Sequence, residues 1–358
     1  MFKFHPLKVA SVSRVAEDAV CVAFDVPPDL AADFAFQAGQ YVTVRRCIGE
    51  RDERRTYSIV SAPGDTVLKL GVRVQESGLM SRHLANEVHA NDLLEVGTPM
   101  GRFRTEIDSQ RTRTYVAFVA GSGITPVLSL ASAILAREPH AKFELFYGNR
   151  SISRTMFLEE VLALKNRYIQ RFSVHFLMSR EQQHASWLNG RLDGAKIREL
   201  ARALPVVGAA DEYLVCGPGD MVDEVRAALL ELNSTAPVRF ERFATGAAKP
   251  VDIVTKTDSA AADPVLAMIS VTMDGRRRTF PMSPNDPSVL HAAERAGMEL
   301  PFSCRAGICA TCRTRITDGA ATMTHNIALE RWEVEAGFVL CCQARPTSST
   351  LEISYDEK

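Results

Sequence analysis

Cys304-Arg-Ala-Gly-Ile-Cys309-Ala-Thr-Cys312 sets three thiols in the spacing C-x4-C-x2-C, and few chemistries use it. Zinc loops join a C-x2-4-C pair to a second such pair, whereas this three-cysteine loop stands alone. An iron-sulfur cluster with a distant fourth thiolate matches better. Cys341 and Cys342 are the candidates for that fourth position. In an extended segment neighbouring side chains point to opposite faces, so only one of the two can readily reach the cluster. The residues alone leave the choice open. Gly307 permits close backbone approach to inorganic sulfides, and amide donors around such a cluster tune its potential.

The segment Met1 to Pro6 has no apolar core of signal-peptide length, so a reducing cytoplasmic setting is expected. There, eight cysteines argue for metal or redox chemistry more than for a disulfide framework. A net charge of -1 offers no broad basic field for nucleic acid or an anionic membrane. The longest apolar stretch, Val127 to Ala136, falls short of the ~20 residues needed to span a bilayer.

A length of 358 residues fits three domains. Residues 1–108 carry short alternating strands at Leu7–Val12, Val20–Val26, Gln40–Arg45, Thr56–Ser61, Leu68–Val74 and Leu93–Val96, which predict a small antiparallel β-barrel. Residues 109–244 alternate strand and helix, from Thr114–Ala120 through Met221–Leu232, which predicts an α/β parallel-sheet domain. Residues 245–266 are small, Pro-containing and without periodicity, as in a linker. Residues 267–358 read as a compact strand-rich domain, with the hairpin signal Asp274-Gly275 and a helix near Ser288–Ala296.

Seven sets of residues outside the cysteine loop carry candidate chemistry. Arg55 and Tyr57 share a strand face next to Ser58, where an arginine fork suits a pyrophosphate and a tyrosine ring suits a flat heterocycle. Gly78-Leu-Met-Ser81 opens a helix running to Asn86, with Ser81 expected as its cap and its amide end offering a second phosphate contact. Pro99-Met-Gly101-Arg-Phe103 follows the last barrel strand. Gly121-Ser-Gly123-Ile-Thr125-Pro126 follows a strand, with Thr125 expected as N-cap and Pro126 as first helical residue, so that a pyrophosphate can approach the helix start. Cys216-Gly217-Pro218-Gly219 ends a later strand, and Glu241-Arg-Phe243 closes the domain. After Tyr147-Gly-Asn-Arg150 no acidic residue awaits a ribose 2'-hydroxyl, while Arg150 suits a 2'-phosphate.

The order Arg-x-Tyr-Ser, Gly-x-x-Ser, Pro-x-Gly-x-Phe resembles the flavin domain of the ferredoxin-NADP reductase family, and C-x4-C-x2-C resembles plant-type ferredoxins of β-grasp fold. Over nearly its full length the chain resembles the reductase subunits of phenylacetyl-CoA epoxidase. The match is carried by Gly121 to Pro126, Tyr147 to Arg150, Cys216-Gly-Pro218, Glu241-Arg-Phe243 and Gly337-Phe-Val-Leu-Cys-Cys342-Gln-Ala344. The resemblance implies FAD, with FMN as the alternative, and puts Arg55 on pyrophosphate, Tyr57 on the ring and Ser58 near the reactive nitrogen. It sets Gly78, Ser81, Gly121, Gly123, Thr125, Pro126, Gly217, Pro218 and Phe243 around flavin and nicotinamide, with Cys216 near the hydride-donating carbon. It also selects Cys342, on family spacing, as the fourth ligand beside Cys304, Cys309 and Cys312.

Such a chain would take hydride from NADPH, with NADH as the alternative, and release single electrons through the 2Fe-2S cluster to a diiron component of a multicomponent oxygenase. A flavin can exchange electrons both ways, and the cofactors carry that chemistry. Arg305, Arg313 and Arg315 are candidates for a basic rim facing that partner. Other acceptors are a Rieske ring-hydroxylating oxygenase or a hybrid-cluster protein, distinguished by which purified acceptor is reduced fastest. A redox sensor without turnover would fail to reduce cytochrome c rapidly.

Overall fold

The computed structural model describes residues 3–49, 51–232, 235–243 and 265–357, which fall into two compact units, 3–243 and 265–357. Residues 245–264 of the expected linker lie outside the described residues.

The first unit begins with β1 (Phe4–Ala16), β2 (Ala19–Asp25), β3 (Tyr41–Ile48), β4 (Arg51–Ser58), β5 (Val67–Arg73) and β6 (Leu93–Gly97), ordered β4-β3-β6-β1-β2-β5 with every pair antiparallel. Alternation sends Val20, Val22, Phe24, Val42, Val44, Leu68, Leu70 and Val72 into one core. Each such burial is worth about 1.5–3 kcal/mol. The sheet's two edges meet where Ile59 bridges Leu70 and the Val60 amide donates to the Lys69 carbonyl at 2.8 Å, which closes the barrel. Helix α1 (Leu79–Asn86) packs on β4 and β5 and plugs the core with Met80 and Leu84.

The chain continues through β7 (Thr114–Ala120), α2 (Ile124–Arg137), β8 (Lys142–Asn149), α3 (Leu158–Arg167), β9 (Phe172–Met178), α4 (Gly194–Ala203), β10 (Glu212–Pro218), α5 (Gly219–Glu231) and β11 (Val238–Phe243). These strands form a wholly parallel sheet ordered β11-β10-β7-β8-β9. Covered on both faces, β7 reads as a continuous apolar run, and Tyr115 to Val119 are fully buried. Strand order reverses between β7 and β10, and ligands of such sheets sit outside the carboxyl ends at that point. Helix α4 escaped the sequence reading. Its signals are Asp193, whose carboxylate accepts from the Lys196 amide at 2.8 Å, and the buried pair Ile197 and Leu200.

Barrel and parallel sheet share a core: Ala19, Cys21 and Val60 pack with Ile124, Val127 and Leu128 of α2. Two helix starts differ from expectation. A short 3-10 turn spans Gly121–Gly123 and α2 begins at Ile124, so Thr125 and Pro126 fall inside its first turn instead of capping and opening it. Proline is tolerated there because first-turn amides have no intrahelical partner. Likewise α1 begins at Leu79 with Gly78 at the cap position, and Ser81 lies one turn in.

The second unit holds β12 (Ala267–Met273), β13 (Arg276–Met282), α6 (Val289–Arg295), β14 (Arg313–Met323), α7 (Arg331–Glu335), β15 (Phe338–Leu340) and β16 (Ala344–Ser354) in a mixed sheet ordered β13-β12-β16-β14-β15. Only β12 and β16 run parallel within it. Asp274 and Gly275 join β12 to β13 with φ of 54° and 71°, the paired left-handed residues of a type I′ hairpin. No helix among the described residues is long and apolar enough to cross a membrane.

Candidate redox centres

The loop from Cys304 to Cys312 packs against the turn that follows β15. Arg305, Gly307 and Ala310 take left-handed φ values of 54°, 73° and 53°, curling the loop so that its amides turn inward. The Ala306 and Ile308 amides each donate to Cys304 Sγ at 3.4 Å. A hydrogen bond from the Cys309 thiol, joined by these amides, pulls the Cys304 thiol down to about 6 against the opposing effect of burial. Cys312 and Cys342 form a second bonded pair, in which the Cys342 thiol is lowered and that of Cys312 raised. Gln343 Nε2 donates to Cys342 Sγ at 3.6 Å and to the Arg305 carbonyl at 2.8 Å, tying the fourth cysteine to the loop.

The donors suit a two-iron cluster because four thiols converge as two pairs within a cradle of amides. Gly307 sits so close that a Cβ would lie 2.6 Å from the His325 carbonyl oxygen. Cys341 and Cys342 occupy a turn, closed by the Gln343 amide donating to the Leu340 carbonyl at 2.8 Å, and not the extended segment assumed from sequence. They diverge nonetheless. Cys341 lies in the apolar core beside Tyr355, and burial pushes its thiol up to about 12.

Each arginine of the supposed basic rim is internally paired. Arg305 meets Glu294 at 2.5 and 2.9 Å, Arg313 meets Glu333 at 2.9 Å, and Arg315 meets Glu357 at 3.2 Å. The rim is therefore largely neutralised.

In the first unit, β7 delivers Gly121, with φ of 56°, to the carboxyl edge of the sheet. The turn is braced by the Tyr147 hydroxyl, which donates to the Gly121 carbonyl at 3.0 Å, and by Thr125 Oγ1, which donates to the Ser122 carbonyl at 2.8 Å. A Cβ on Gly123 would fall 2.2 Å from the Cys216 carbonyl oxygen, so this glycine lets the turn press on the end of β10. A Cβ on Gly217 would fall 2.7 Å from the Met221 sulfur.

Register places Cys216 opposite Glu241 and Pro218 opposite Phe243 in β11. With a strand period of two, these four side chains share one sheet face. Cys216 and Phe243 belong to the core shared with the barrel, so that face is turned to the flavin half. Burial, and then the neighbouring Glu241, raise the Cys216 thiol. Burial pushes the Glu241 carboxyl up to about 8, and its buried Oε2 has no hydrogen-bond partner. The sequence reading singled out Glu241-Arg-Phe243 as the end of the domain, where the resemblance puts an aromatic or acidic group near the flavin, and assigned a position to Phe243 alone.

On the barrel, Arg55 and Tyr57 pair with Val44 and Val42 and lie on one face, as strand alternation requires. Arg55 rests against Glu53 at 2.9 Å with its side chain 41% exposed, leaving the fork accessible. Tyr57 is half-buried and packs on the barrel core, while Ser58 is buried at the strand end. Ser81 Oγ accepts from the Gln75 amide at 3.1 Å and donates to the Gly78 carbonyl at 3.2 Å, shaping the loop before α1. Gly101 has φ of 116°, and Phe103 is buried in the shared core. Arg150 is exposed at the carboxyl end of β8, and the positive charges of Arg180 and Arg154 crowd its guanidinium and lower its pKa.

Comparison with known proteins matches the same three regions. Residues 6–105 fit an oxidoreductase FAD-binding domain, 118–227 an oxidoreductase NAD-binding domain, and 271–347 a 2Fe-2S iron-sulfur cluster binding domain. Fold and site together define an NAD(P)H-dependent oxidoreductase in which FAD feeds a 2Fe-2S domain on the same chain. One component of the 1,2-phenylacetyl-CoA epoxidase from Escherichia coli (strain K12) is 35% identical over 361 residues, spanning 100% of this chain and 99% of the relative. The chain belongs to that family of oxygenase reductases. The ferredoxin reductase component of 3-ketosteroid-9-alpha-monooxygenase from Rhodococcus rhodochrous is 29% identical over 355 residues, 98% of this chain and 96% of that one. The solved structure of phthalate dioxygenase reductase shares the fold with a TM-score of 0.60 at 22% identity, covering 98% of both chains. The protein is thus the electron-delivering component of an oxygenase system.

Proposed function

We propose that the acceptor is the diiron oxygenase that epoxidises phenylacetyl-CoA, with NADPH as donor, in the cytoplasm. The observation behind the acceptor is end-to-end similarity to the epoxidase component, with both chains matched over essentially their whole length. The functional boundaries follow the sequence reading: flavin domain 1–108, nicotinamide domain 109–244, linker 245–266 and cluster domain 267–358.

The bound flavin supplies the exchange between a two-electron hydride and single electrons, and the chain's residues position and tune. Arg55 takes a pyrophosphate oxygen once its fork turns from Glu53, and Tyr57 covers the ring. Ser58 stands at the reactive edge. Gly78 and Ser81 bring the α1 amides to the second phosphate. Gly121, Gly123, Thr125 and Pro126 form the nicotinamide pyrophosphate turn. Cys216, Gly217 and Pro218 line the nicotinamide ring, and Phe243 closes the face. Glu241 holds its proton at neutral pH, because burial penalises the carboxylate more than the acid. Arg150 meets a 2'-phosphate that relieves its crowding by Arg180 and Arg154. Cys304, Cys309, Cys312 and Cys342 hold the cluster.

Purified protein assayed with NADPH against the oxygenase subunits of the phenylacetyl-CoA system should form the epoxide faster than it reduces a Rieske oxygenase or a hybrid-cluster protein. Faster reduction of either alternative acceptor would refute the assignment. A strong preference for NADH would refute the donor.

A further inference from the structure

We propose that Gly71 is a positioning residue that sets how closely the nicotinamide turn approaches the flavin strand. Its φ is not in the left-handed region, so conformation does not demand glycine at this position; space does. A Cβ there would lie 2.4 Å from Thr125 Cγ2 and 2.7 Å from Phe157 Cε2. Both neighbours belong to the parallel-sheet half, while Gly71 lies on barrel strand β5. The adjoining outer face of β2 is also small, with Cys21 opposite Gly71 and Ala19 two residues away. Thr125 and Phe157 have little room to retreat. Thr125 is bonded through Oγ1 to the Ser122 carbonyl within the pyrophosphate turn. Phe157 is 2% exposed, holds a left-handed φ of 55°, and donates its amide to the Val15 carbonyl of β1 at 3.3 Å.

The contact lies on a short path between the two reacting ends. Ser58 is followed by Ile59, which bridges Leu70, the neighbour of Gly71. Across the contact, Thr125 braces the turn whose Gly123 presses on the Cys216 carbonyl. Ser129 of α2 adds a second tie by donating to the Ser61 carbonyl at 2.7 Å. Moving Thr125 off β5 therefore carries the Cys216 end away from Ser58. A misplacement of ~1 Å from a remote substitution can cost about 100-fold in rate. This inference rests on the roles proposed above for Ser58 and Cys216.

The test is Gly71→Ala in the full-length, FAD-loaded protein, together with Gly71→Ala/Thr125→Ser, which removes the nearer of the two groups that the new Cβ meets, leaves the Phe157 ring, and keeps the hydroxyl. Stopped-flow flavin reduction with NADPH and its 4-deuterated form gives the hydride rate and isotope effect. Calorimetry with NADP+ gives binding separately. The expected result is a fall of about 10- to 100-fold in the flavin-reduction rate for Gly71→Ala, nucleotide affinity changed by less than about threefold, and partial recovery in the double variant. A wild-type rate in Gly71→Ala overturns the proposal. So does loss of bound FAD or of the melting transition in both variants, which would assign Gly71 to folding alone. If NADPH does not reduce the flavin of the unaltered protein, the underlying hydride reading fails instead.

Discussion

The two ends of the electron path are built by opposite means. In the C-terminal unit four thiols within one loop and one turn define the cluster site, so side-chain identity carries nearly all the information. In the N-terminal unit the proposed hydride site is an approach of backbones: Gly123 against the end of β10, Gly71 against α2, and Cys216 beside Glu241 across two strands. A ligand set is local and chemically rare. An approach of backbones is distributed over the chain and made from common residues.

The largest expected effect falls on the ligand side. Cys342→Ser should lose nearly all bound iron and abolish oxygenase-coupled turnover while NADPH-ferricyanide activity persists. Cys341→Ser should keep the cluster and cost about 1–3 kcal/mol, from burying a hydroxyl without its full set of partners. Iron and sulfide analysis with denaturant melts separates the two, and the reverse pattern would exchange their roles. Gly307→Ala comes next. Its Cβ would meet the His325 carbonyl at 2.6 Å in a left-handed backbone, so a loss of about 2 kcal/mol or more and poor cluster retention are expected.

On the approach side, Cys216→Ala should slow flavin reduction by about 10- to 100-fold with FAD content unchanged. Glu241 gives a pH signature. Its carboxyl moves from an ordinary 4.5 to about 8, so the folded state binds the extra proton across that window. Stability from this group is full below 4.5 and is lost as pH rises through about 8. Glu241→Gln should flatten that decline in melts across the range. A decline of unchanged slope would assign it to other groups.

The smallest effect should come from the cluster-side arginines. Arg305→Ala should cost under about 1 kcal/mol, because Arg305 is already paired with Glu294 near the surface. The salt dependence of electron delivery should barely move.

Legibility followed the same division. The cysteine loop, the Asp274-Gly275 hairpin and β7 could be read from sequence because each rests on local spacing or a continuous apolar run. Thr125, Pro126 and Ser81 were proposed as site residues from sequence, with helical positions that the structure corrects. The helices begin on Ile124 and Leu79, and Gly123 and Gly78 at the cap positions make no side-chain cap bond that a residue pattern could flag. Glu241 was legible only as part of the closing Glu241-Arg-Phe243, because its place opposite Cys216 depends on register between β10 and β11, which no local pattern encodes. Gly71 carried no signal in the sequence, because what it makes room for, Thr125 and Phe157, is distant along the chain. The arginine rim failed for the converse reason. Three positive residues stood out locally, while their partners Glu294, Glu333 and Glu357 are distant in sequence.

The central claim is that electrons enter at the Cys216 face and reach the oxygenase only through the Cys304–Cys342 cluster. Anaerobic stopped-flow with NADPH, followed by freeze-quench paramagnetic resonance, tests it on unaltered, FAD-stripped and Cys342→Ser protein. Flavin bleaching should precede the reduced-cluster signal in the unaltered protein, the FAD-stripped form should show no cluster reduction, and Cys342→Ser should bleach flavin without that signal. Cluster reduction by NADPH in the FAD-stripped protein would contradict the account.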